Sequence, residues 1–501
     1  FTVEPIRERT PVEPHDQPVA VIICVHNALD DVRRCLCSVV ECTSAPYRLI
    51  LVDDGSDGPT ASFLAGFARE HATTLIRNEN ARGYTRAANQ GLAATDKEWV
   101  LLLNSDTIVT SGWLDRLVAC AKSDPDIGIV GPLSNTASWQ SIPDIEHHGD
   151  WAANPLPPGV SVDDMGALLA AYSARLYPHM PFLNGFCLLI RRDVLNALGR
   201  FDEDAFGAGY GEEDDLALRA RKAGWLLAIA DDVYVYHAQS RSYTSEARRR
   251  LAKGAGRRLA DKHGQAVIDE GVARCQHDRV LQGIRARARA MLARQEYVSK
   301  GREKYAGAGI LFVLPVSQPG GGANVVIDEA LAMRAMGVEV SVYNLPTNRA
   351  AFERAYPTMP LPVHYGTPEA LADVAAGYDA VVATFNTSVE WLLPLRDLPS
   401  PPVRGYYVQG FEPLIYPVHT PDHGRAIKSY TLFDDLVRFT KTEWTRHQML
   451  THIGVDGAVV GPSVNIDLFR PRPRAESAGA VAPVRIAAMI RANSPYREPR
   501  L

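Results

Sequence analysis

No stretch of this 501-residue chain approaches the ~18 consecutive apolar residues that a membrane-spanning helix needs. No secretory leader opens it, and with Phe1 in place of Met it reads as an excised piece of a cytoplasmic protein. Cysteine is sparse: Cys24, Cys35, Cys37, Cys42, Cys120, Cys187 and Cys275 are odd in number and sit in apolar strand and helix patterns. That excludes a disulfide framework and predicts reduced core thiols. Cys35, Cys37 and Cys42 lack zinc-site spacing, and no histidine pair follows them. Charge of one sign is also missing, since 53 Lys and Arg against 58 Asp and Glu leave −5. Nothing global therefore calls for a nucleic acid. There is no G-x-G-x-x-G, which opposes an NAD-linked oxidoreductase. VIICVHNALDDVRR at 21–34 offers no Gly- and Arg-rich triphosphate loop, which opposes a nucleotidyltransferase that makes activated sugars.

What is present is an α/β alternation long enough for two or three cores. Residues 1–16 are polar and Pro-containing, a loose arm. From Val19 to His237 the apolar runs VAVIICV, RLILV, TLIRN, EWVLLL and IGIVGP alternate with helical patterns over 30–41, 60–70, 85–94 and 112–121. This predicts a mostly parallel sheet covered on both faces, in a domain over 17–245. Ser134–Gly159, with scattered Pro, Gly, Asn and His, reads as a long mobile loop. Residues 246–306 turn helical and basic, with Arg248-Arg249-Arg250, Arg257-Arg258 and RARARAMLAR. They read as a solvated linker, or alternatively as a peripheral contact for anionic lipid or a polyanionic partner. A second α/β pattern occupies 307–473, and 474–501 holds a Pro/Ala/Ser/Gly linker and one further strand, VRIAAMIRA.

Chemistry concentrates where buried strands run out of apolar residues. Leu49–Ser56 ends in Asp53-Asp54-Gly55, and Trp99–Thr107 ends in Asn104-Ser105-Asp106. Carboxyl ends of parallel strands are where α/β sheets bind ligands. An acid there suits Mn²⁺ or Mg²⁺ on a diphosphate, although Asp106 would open a turn equally well. Glu212-Glu213-Asp214-Asp215 opens a helical pattern. One or two acids would satisfy a helix dipole, whereas four repel one another and raise the proton affinity of at least one, as a general base requires. His237 ends VYVY and fits a metal ligand beside Asp106.

The array VHN at 25–27, VDDGS at 52–56, NENARGYTRAANQG at 78–91 and LLLNSDT at 101–107 resembles glycosyltransferase family 2 on a GT-A fold. NGFCLLIRRDVLNALGRFDE at 184–203, GYGEEDDLALRARKAGW at 209–225 and VYVYH at 233–237 complete it in order, over roughly 17–245. The resemblance implies metal-assisted, inverting transfer of a sugar from a nucleotide diphosphate-sugar to a glycan or lipid-linked glycan, in bacterial surface polysaccharide assembly. It implies that Val25, His26, Asn27, Asp53 and Asp54 line the nucleoside. Arg82 and Asn89 fall near the diphosphate and sugar, with Asn104 and Ser105 beside them. Asp106 and His237 become the metal ligands, Glu213 the base, and Asn184, Gly185 and Glu212 the groups facing sugar and acceptor. Two positions depart from the family: Asn104 replaces the first acid of the DxD element, and Glu213 replaces Asp. The choice of base among Glu213, Asp214 and Asp215 stays open, as does a non-catalytic nucleotide- or glycan-binding scaffold.

GGGANVVIDEALAMRAMGVEVSVYNL at 320–345, YYVQGFEPLIYP at 406–417, TKTEWTRHQML at 440–450 and VNIDLFRPRP at 464–473 resemble the Rossmann-like amino-terminal lobe of a GT-B, family 4 glycosyltransferase. YYVQGFEPLIYP is similar to rhamnosyltransferases of surface-glycan assembly. Such a lobe holds acceptor, and the donor lobe would only begin at 484, so this half is expected to be incomplete. Gly320-Gly321-Gly322 reads as a phosphate cradle or as close helix packing. His364, Gln409, Glu412 and Tyr416 are its polar or aromatic candidates.

Overall fold

The computed structural model describes residues 12–44, 46–148, 150–207, 209–238 and 245–461, with backbone alone for 245–253. Of the expected arm over 1–16, residues 1–11 lie outside the described residues, as do the expected linker and further strand over 474–501, while His15 is buried against Asp115 at 2.8 Å rather than loose. The chain divides into two compact units, one ending at Leu292 and the next beginning at Ala293.

The first unit starts β1 (Val19–Val25), α1 (Leu29–Cys42), β2 (Tyr47–Asp54), α2 (Gly58–Glu70), β3 (Thr74–Asn78), α3 (Tyr84–Ala93) and β4 (Trp99–Asn104). Next come β5 (Thr107–Ile108), α4 (Trp113–Lys122), β6 (Ile127–Leu133), a hairpin of β7 (Glu146–His147) and β8 (Asp150–Trp151), α5 (Val162–Tyr172) and β9 (Cys187–Arg191). The rest is α6 (Arg192–Leu198), α7 (Glu203–Phe206), α8 (Glu212–Lys222), β10 (Leu226–Tyr234), β11 (Tyr236–His237), α9 (Ser245–His263), α10 (Gln265–His277) and the start, to Leu292, of α11 (Arg279–Tyr305). The main sheet runs β10-β6-β9-β4-β1-β2-β3, with only β9 antiparallel to its neighbours. Its centre is apolar on both faces, Val19 to Ile23 and Val100 to Leu103 all being buried, as parallel strands require. Gly91 lets α3 lie close on β1, because a Cβ there would fall 2.3 Å from Ile22 Cγ2.

Register brings three strand ends side by side: Val25 pairs with Asp53, and Cys24 pairs with both Val52 and Asn104. The carboxyl edge of the sheet is thus formed by the tips of β1, β2 and β4, the crevice position of doubly wound folds.

Two expectations are corrected. The segment 134–159 is tied down rather than mobile, since Ser134, Asn135, Gln140 and Ser141 are buried. The Asn154 amide donates to the carbonyls of Asn135 and Asp144, each at 2.7 Å. Residues 246–306 are not a solvated linker either: α9, α10 and the start of α11 belong to the first unit. Several of their described cations have partners within the unit. Lys262 binds Asp202 and Asp215, Arg289 binds Asp144, Arg258 lies over the Phe206 ring, and Arg285 is buried. No described helix is long and apolar enough to cross a membrane.

The second unit holds β12 (Gly309–Val313), α12 (Gly321–Ala335), β13 (Glu339–Asn344), β14 (Val363–Tyr365), β15 (Ala380–Ala383), β16 (Val403–Val408), β17 (Val437–Thr440) and β18 (Ala458–Val459). All seven strands are parallel, in the order β14-β13-β12-β15-β16-β17-β18. Gly322 faces Gln409, which accepts from Lys441 at 3.1 Å. The other candidates each bond a neighbour: His364 and Tyr378 at 3.1 Å, Glu412 accepting from Tyr406 at 2.9 Å, and Tyr416 with Asn386. Burial pushes the Glu412 carboxyl up to about 8.

Candidate active site

The Asp53 and Asp54 carboxylates are engaged by groups of the protein itself. Asp53 is fully buried, pairs with the Arg77 guanidinium, and accepts the Ser56 N–H at 2.9 Å. Asp54 accepts from the Asn78 amide at 2.8 Å and from the backbone N–H groups of Arg82 and Gly83 at 2.9 Å. Both acids fix the loops around the crevice. The exposed groups left there are the His26 and Arg82 side chains, with Asn27 partly covered. His26 Nδ1 lies 2.9 Å from the Asp54 carbonyl, and Asn27 takes a left-handed φ of 59° while its N–H donates to Ser56 Oγ at 3.0 Å. A cleft of about 920 Å³ opens beside His26, Asn27 and Arg34. Asn89 is engaged likewise. Its buried amide donates to the Phe201 carbonyl and Glu203 Oε1, both at 2.9 Å, and its Oδ1 accepts the Phe201 N–H at 3.1 Å. It clamps α3 to the segment before α7, with both amide hydrogens used and one Oδ1 lone pair left over.

At the tip of β4, Asn104 N–H donates to the Phe186 carbonyl at 2.8 Å, and Ser105 follows partly exposed. Asp106 is 7% exposed, and its Oδ2 has no hydrogen-bond partner. The β5–β11 ribbon pairs Thr107 with His237. This sets His237 Nε2 3.5 Å from Asp106 Oδ1. His237 Nδ1 lies 3.1 Å from the Thr136 carbonyl, which accepts only, so Nδ1 carries the proton. With Nδ1–H used there, Nε2 is the ring atom left facing the carboxylate; where it carries no proton, two acceptors face each other. A cation between them resolves that conflict, and it also gives the orphaned Asp106 oxygen a partner. The residues therefore fit a hard divalent ion. Among the described residues no cluster of three or more His, Cys, Asp or Glu gathers there, so diphosphate and water oxygens would complete the shell.

The Asn184–Phe186 segment joins this pair to the acidic cluster. The Phe186 ring stacks on His237 at 5.1 Å and 16°. One residue earlier, a Cβ on Gly185 would meet the Glu213 Cγ, Cδ and Oε1 at 3.3 Å each. Asn184 is set by Gln140, whose Oε1 accepts its N–H at 2.6 Å. Glu212, Glu213, Asp214 and Asp215 form the first turn of α8 after Gly211, which has φ 91°. They diverge in role. Asp215 is fully buried and bound by Arg219 at 2.8 Å and by Lys262 and His263 at 2.7 Å. Burial opposes its ionisation, but those three partners outweigh burial and hold its pKa below the usual range. Asp215 is thus a structural anchor, which corrects its candidacy as base. Burial, then the charge of Glu213, pushes Glu212 and Asp214 well above the ordinary carboxylate range. Burial raises Glu213 as well, while the N–H groups of Gly211 and Gly185 donate to it and favour its charge. Of the three raised acids, Glu213 carries the anion best.

Tyr84, which the sequence reading passed over, is packed among these groups. Burial raises its pKa, and so do Cys24, Glu212 and Glu213. Its place at the start of α3, one residue after the Asp54-bound Gly83, was the available signal. Gln140 and Arg285 were also missed, because their partners lie 44 and more than 140 residues away.

Gly185→Ala tests the contact with Glu213. The added methyl displaces the carboxyl, so kcat should fall about tenfold or more with Tm nearly unchanged. A variant with full activity would remove Gly185 from the site.

Residues 20–199 match the Glycosyl transferase family 2 model; the match stops short of Glu213 and His237, whose roles rest on geometry. The chain is 28% identical over 273 residues to N-acetylglucosaminyl-diphospho-decaprenol L-rhamnosyltransferase of Mycobacterium tuberculosis, spanning 48% of this chain and 84% of that protein. It is 28% identical over 263 residues to the Pre-mycofactocin glycosyltransferase of the same species, spanning 51% of this chain and half of that protein. Among solved structures, a mannosyltransferase of Pyrobaculum calidifontis in complex with GDP-Man and Mn²⁺ aligns at TM-score 0.39 and 18% identity, covering 70% of this chain and 90% of that one. Residues 20–199 form a glycosyl transferase family 2 domain, and the chain that carries it is a glycosyltransferase.

Proposed function

We propose that the first unit transfers a sugar from a nucleotide diphosphate-sugar to a glycan hydroxyl, with inversion at the anomeric carbon. One observation carries this reading: a three-residue segment, Asn184–Phe186, sets Glu213 on one side and the His237–Asp106 pair on the other. Asp106 and His237 would hold Mn²⁺ or Mg²⁺, which when bound neutralises charge on the leaving diphosphate. Val25, His26, Asn27 and Arg82 border the nucleotide. Glu213 takes the proton of the acceptor hydroxyl as that oxygen bonds to the anomeric carbon. The bond from that carbon to the diphosphate breaks on the opposite face, so one base suffices. Glu212 and Asp214, in the same helical turn, would face sugar or acceptor oxygens.

The rhamnosyltransferase relative favours a deoxyhexose donor and a diphospholipid-linked N-acetylglucosamine acceptor. Such an acceptor fits a cytoplasmic enzyme of surface polysaccharide assembly working at the membrane face. For the second unit we propose a GT-B amino-terminal lobe, supported by its seven parallel strands with β12 between β13 and β15. Asn104 favours a rival reading, a nucleotide-binding scaffold without turnover.

Thermal shift with nucleotide diphosphates and Mn²⁺ separates the binding roles. A nucleotide stabilises by mass action in proportion to its occupancy. Asp106→Ala is expected to abolish the metal-dependent part of that shift; an unaltered shift would take Asp106 out of the site.

A further inference from the structure

We propose that Trp139 and Trp151 form a stacking subsite for a sugar ring of the acceptor, on the loop linked to Glu213 through Asn184. Apart from Trp151, no large apolar side chain between residues 12 and 266 is exposed, among the described residues. Trp151 is 47% exposed. It is fixed in place rather than left over, because its ring stands edge-on to Trp139 at 5.5 Å and 84°. The β7–β8 hairpin pairs it with Glu146.

The ground beneath it is rigid and connected to the site. Arg285 is 4% exposed, and its guanidinium donates to the carbonyls of Trp139 and Ser141. Burying a guanidinium to hold two loop carbonyls is costly and needs a return in positioning. Next to Trp139, Ser138 Oγ accepts from the Asn184 amide at 3.4 Å. Asn184 leads directly to Gly185, against which Glu213 packs. Trp139 is thus linked to the proposed base through Ser138, Asn184 and Gly185.

The chemistry of the patch selects a carbohydrate over a lipid tail. A pyranose presents axial C–H groups with partial positive charge to the negative face of an indole. Its hydroxyls then point to the sides, where Glu146, His147 and Asp150 are exposed and able to accept or donate. A polyprenyl chain would need a continuous apolar strip, and one tryptophan ringed by acids and imidazole does not provide it. The proposal deepens the transferase reading and depends on it only for calling the sugar an acceptor.

The test is saturation-transfer NMR on the full chain with nucleotide diphosphate, Mn²⁺ and methyl β-N-acetylglucosaminide. The wild type should transfer saturation most strongly to the axial ring protons. Trp151→Ala should weaken sugar binding about tenfold, and Trp151→Phe should restore most of it. Glu213→Gln should bind the sugar as the wild type does. Because this readout needs no turnover, a wild type that binds sugar yet transfers none counts against the transferase reading alone. Equal saturation in wild type and Trp151→Ala overturns the subsite. So does saturation of farnesyl phosphate in place of the sugar.

Discussion

Glu213→Gln is expected to lower kcat by about 10²–10⁴-fold, the usual worth of a positioned general base, with Tm and nucleotide binding unchanged. Gln keeps the contact with Gly185 but cannot accept a proton. The pH profile sharpens the test. A base works only when ionised, so kcat/KM falls as pH drops through its pKa, and burial sets that pKa above the model-compound 4.5. The acid limb should therefore lie above 4.5 and disappear in Glu213→Gln. Glu212→Gln and Asp214→Asn should cost less activity, since burial raises the pKa of both further above the ordinary carboxylate range and disfavours the anion a base needs. If Asp214→Asn were the inactive variant and Glu213→Gln the active one, the assignment of the base would be wrong.

Two residues along the same helix, substitution should damage stability instead. Asp215→Asn leaves Lys262, Arg219 and His263 gathered around a neutral side chain in a buried place. Removing one partner of a buried ionic cluster costs about 3–5 kcal/mol. The lower end applies, because Lys262 is one-third exposed and water screens it. For a unit of this size that means a Tm lower by roughly 6–12 °C. The sign of the pH dependence follows from the lowered pKa. Asp215 stabilises the fold above its unfolded value near 3.8 and loses that contribution as pH falls through the folded value. Glu212 and Asp214 act oppositely, because their raised pKa values make folding costlier as pH rises. An Asp215→Asn protein with wild-type Tm would show that the cluster at α8 and α9 holds nothing together.

The contrast between Glu213 and Asp215 shows what was legible in the sequence. Helices α1 to α4 and the strands between them followed from apolar period and turn residues, with ends within two residues of their places. The tips of β2 and β4 were legible for the same reason: an apolar run that stops in acids marks the carboxyl edge of a buried sheet. What each acid does there was not legible, because its partners come from elsewhere. The Asp215 partners Lys262 and His263 lie 47 and 48 residues on, and the Asn89 amide is used by a segment 112 residues away. The same cause misled the reading of 134–159 and 246–306. Polar and basic residues suggested solvent, yet Asn154, Arg285 and Arg289 meet their partners only in the folded chain. The family resemblance pointed to Glu213 and Asp106 as candidates; the packing on Gly185 and the nearness of His237 Nε2 to Asp106 support those proposals.

The central claim is displacement at an anomeric carbon by a hydroxyl that Glu213 deprotonates. The most direct measurement is proton NMR of the disaccharide formed by the full chain from a panel of nucleotide diphosphate-sugars, Mn²⁺ and a short-chain N-acetylglucosaminyl diphospholipid. The account predicts one donor consumed, with the new linkage opposite in anomeric configuration to the donor. Retained configuration, or nucleotide binding with no product from any donor, would contradict it.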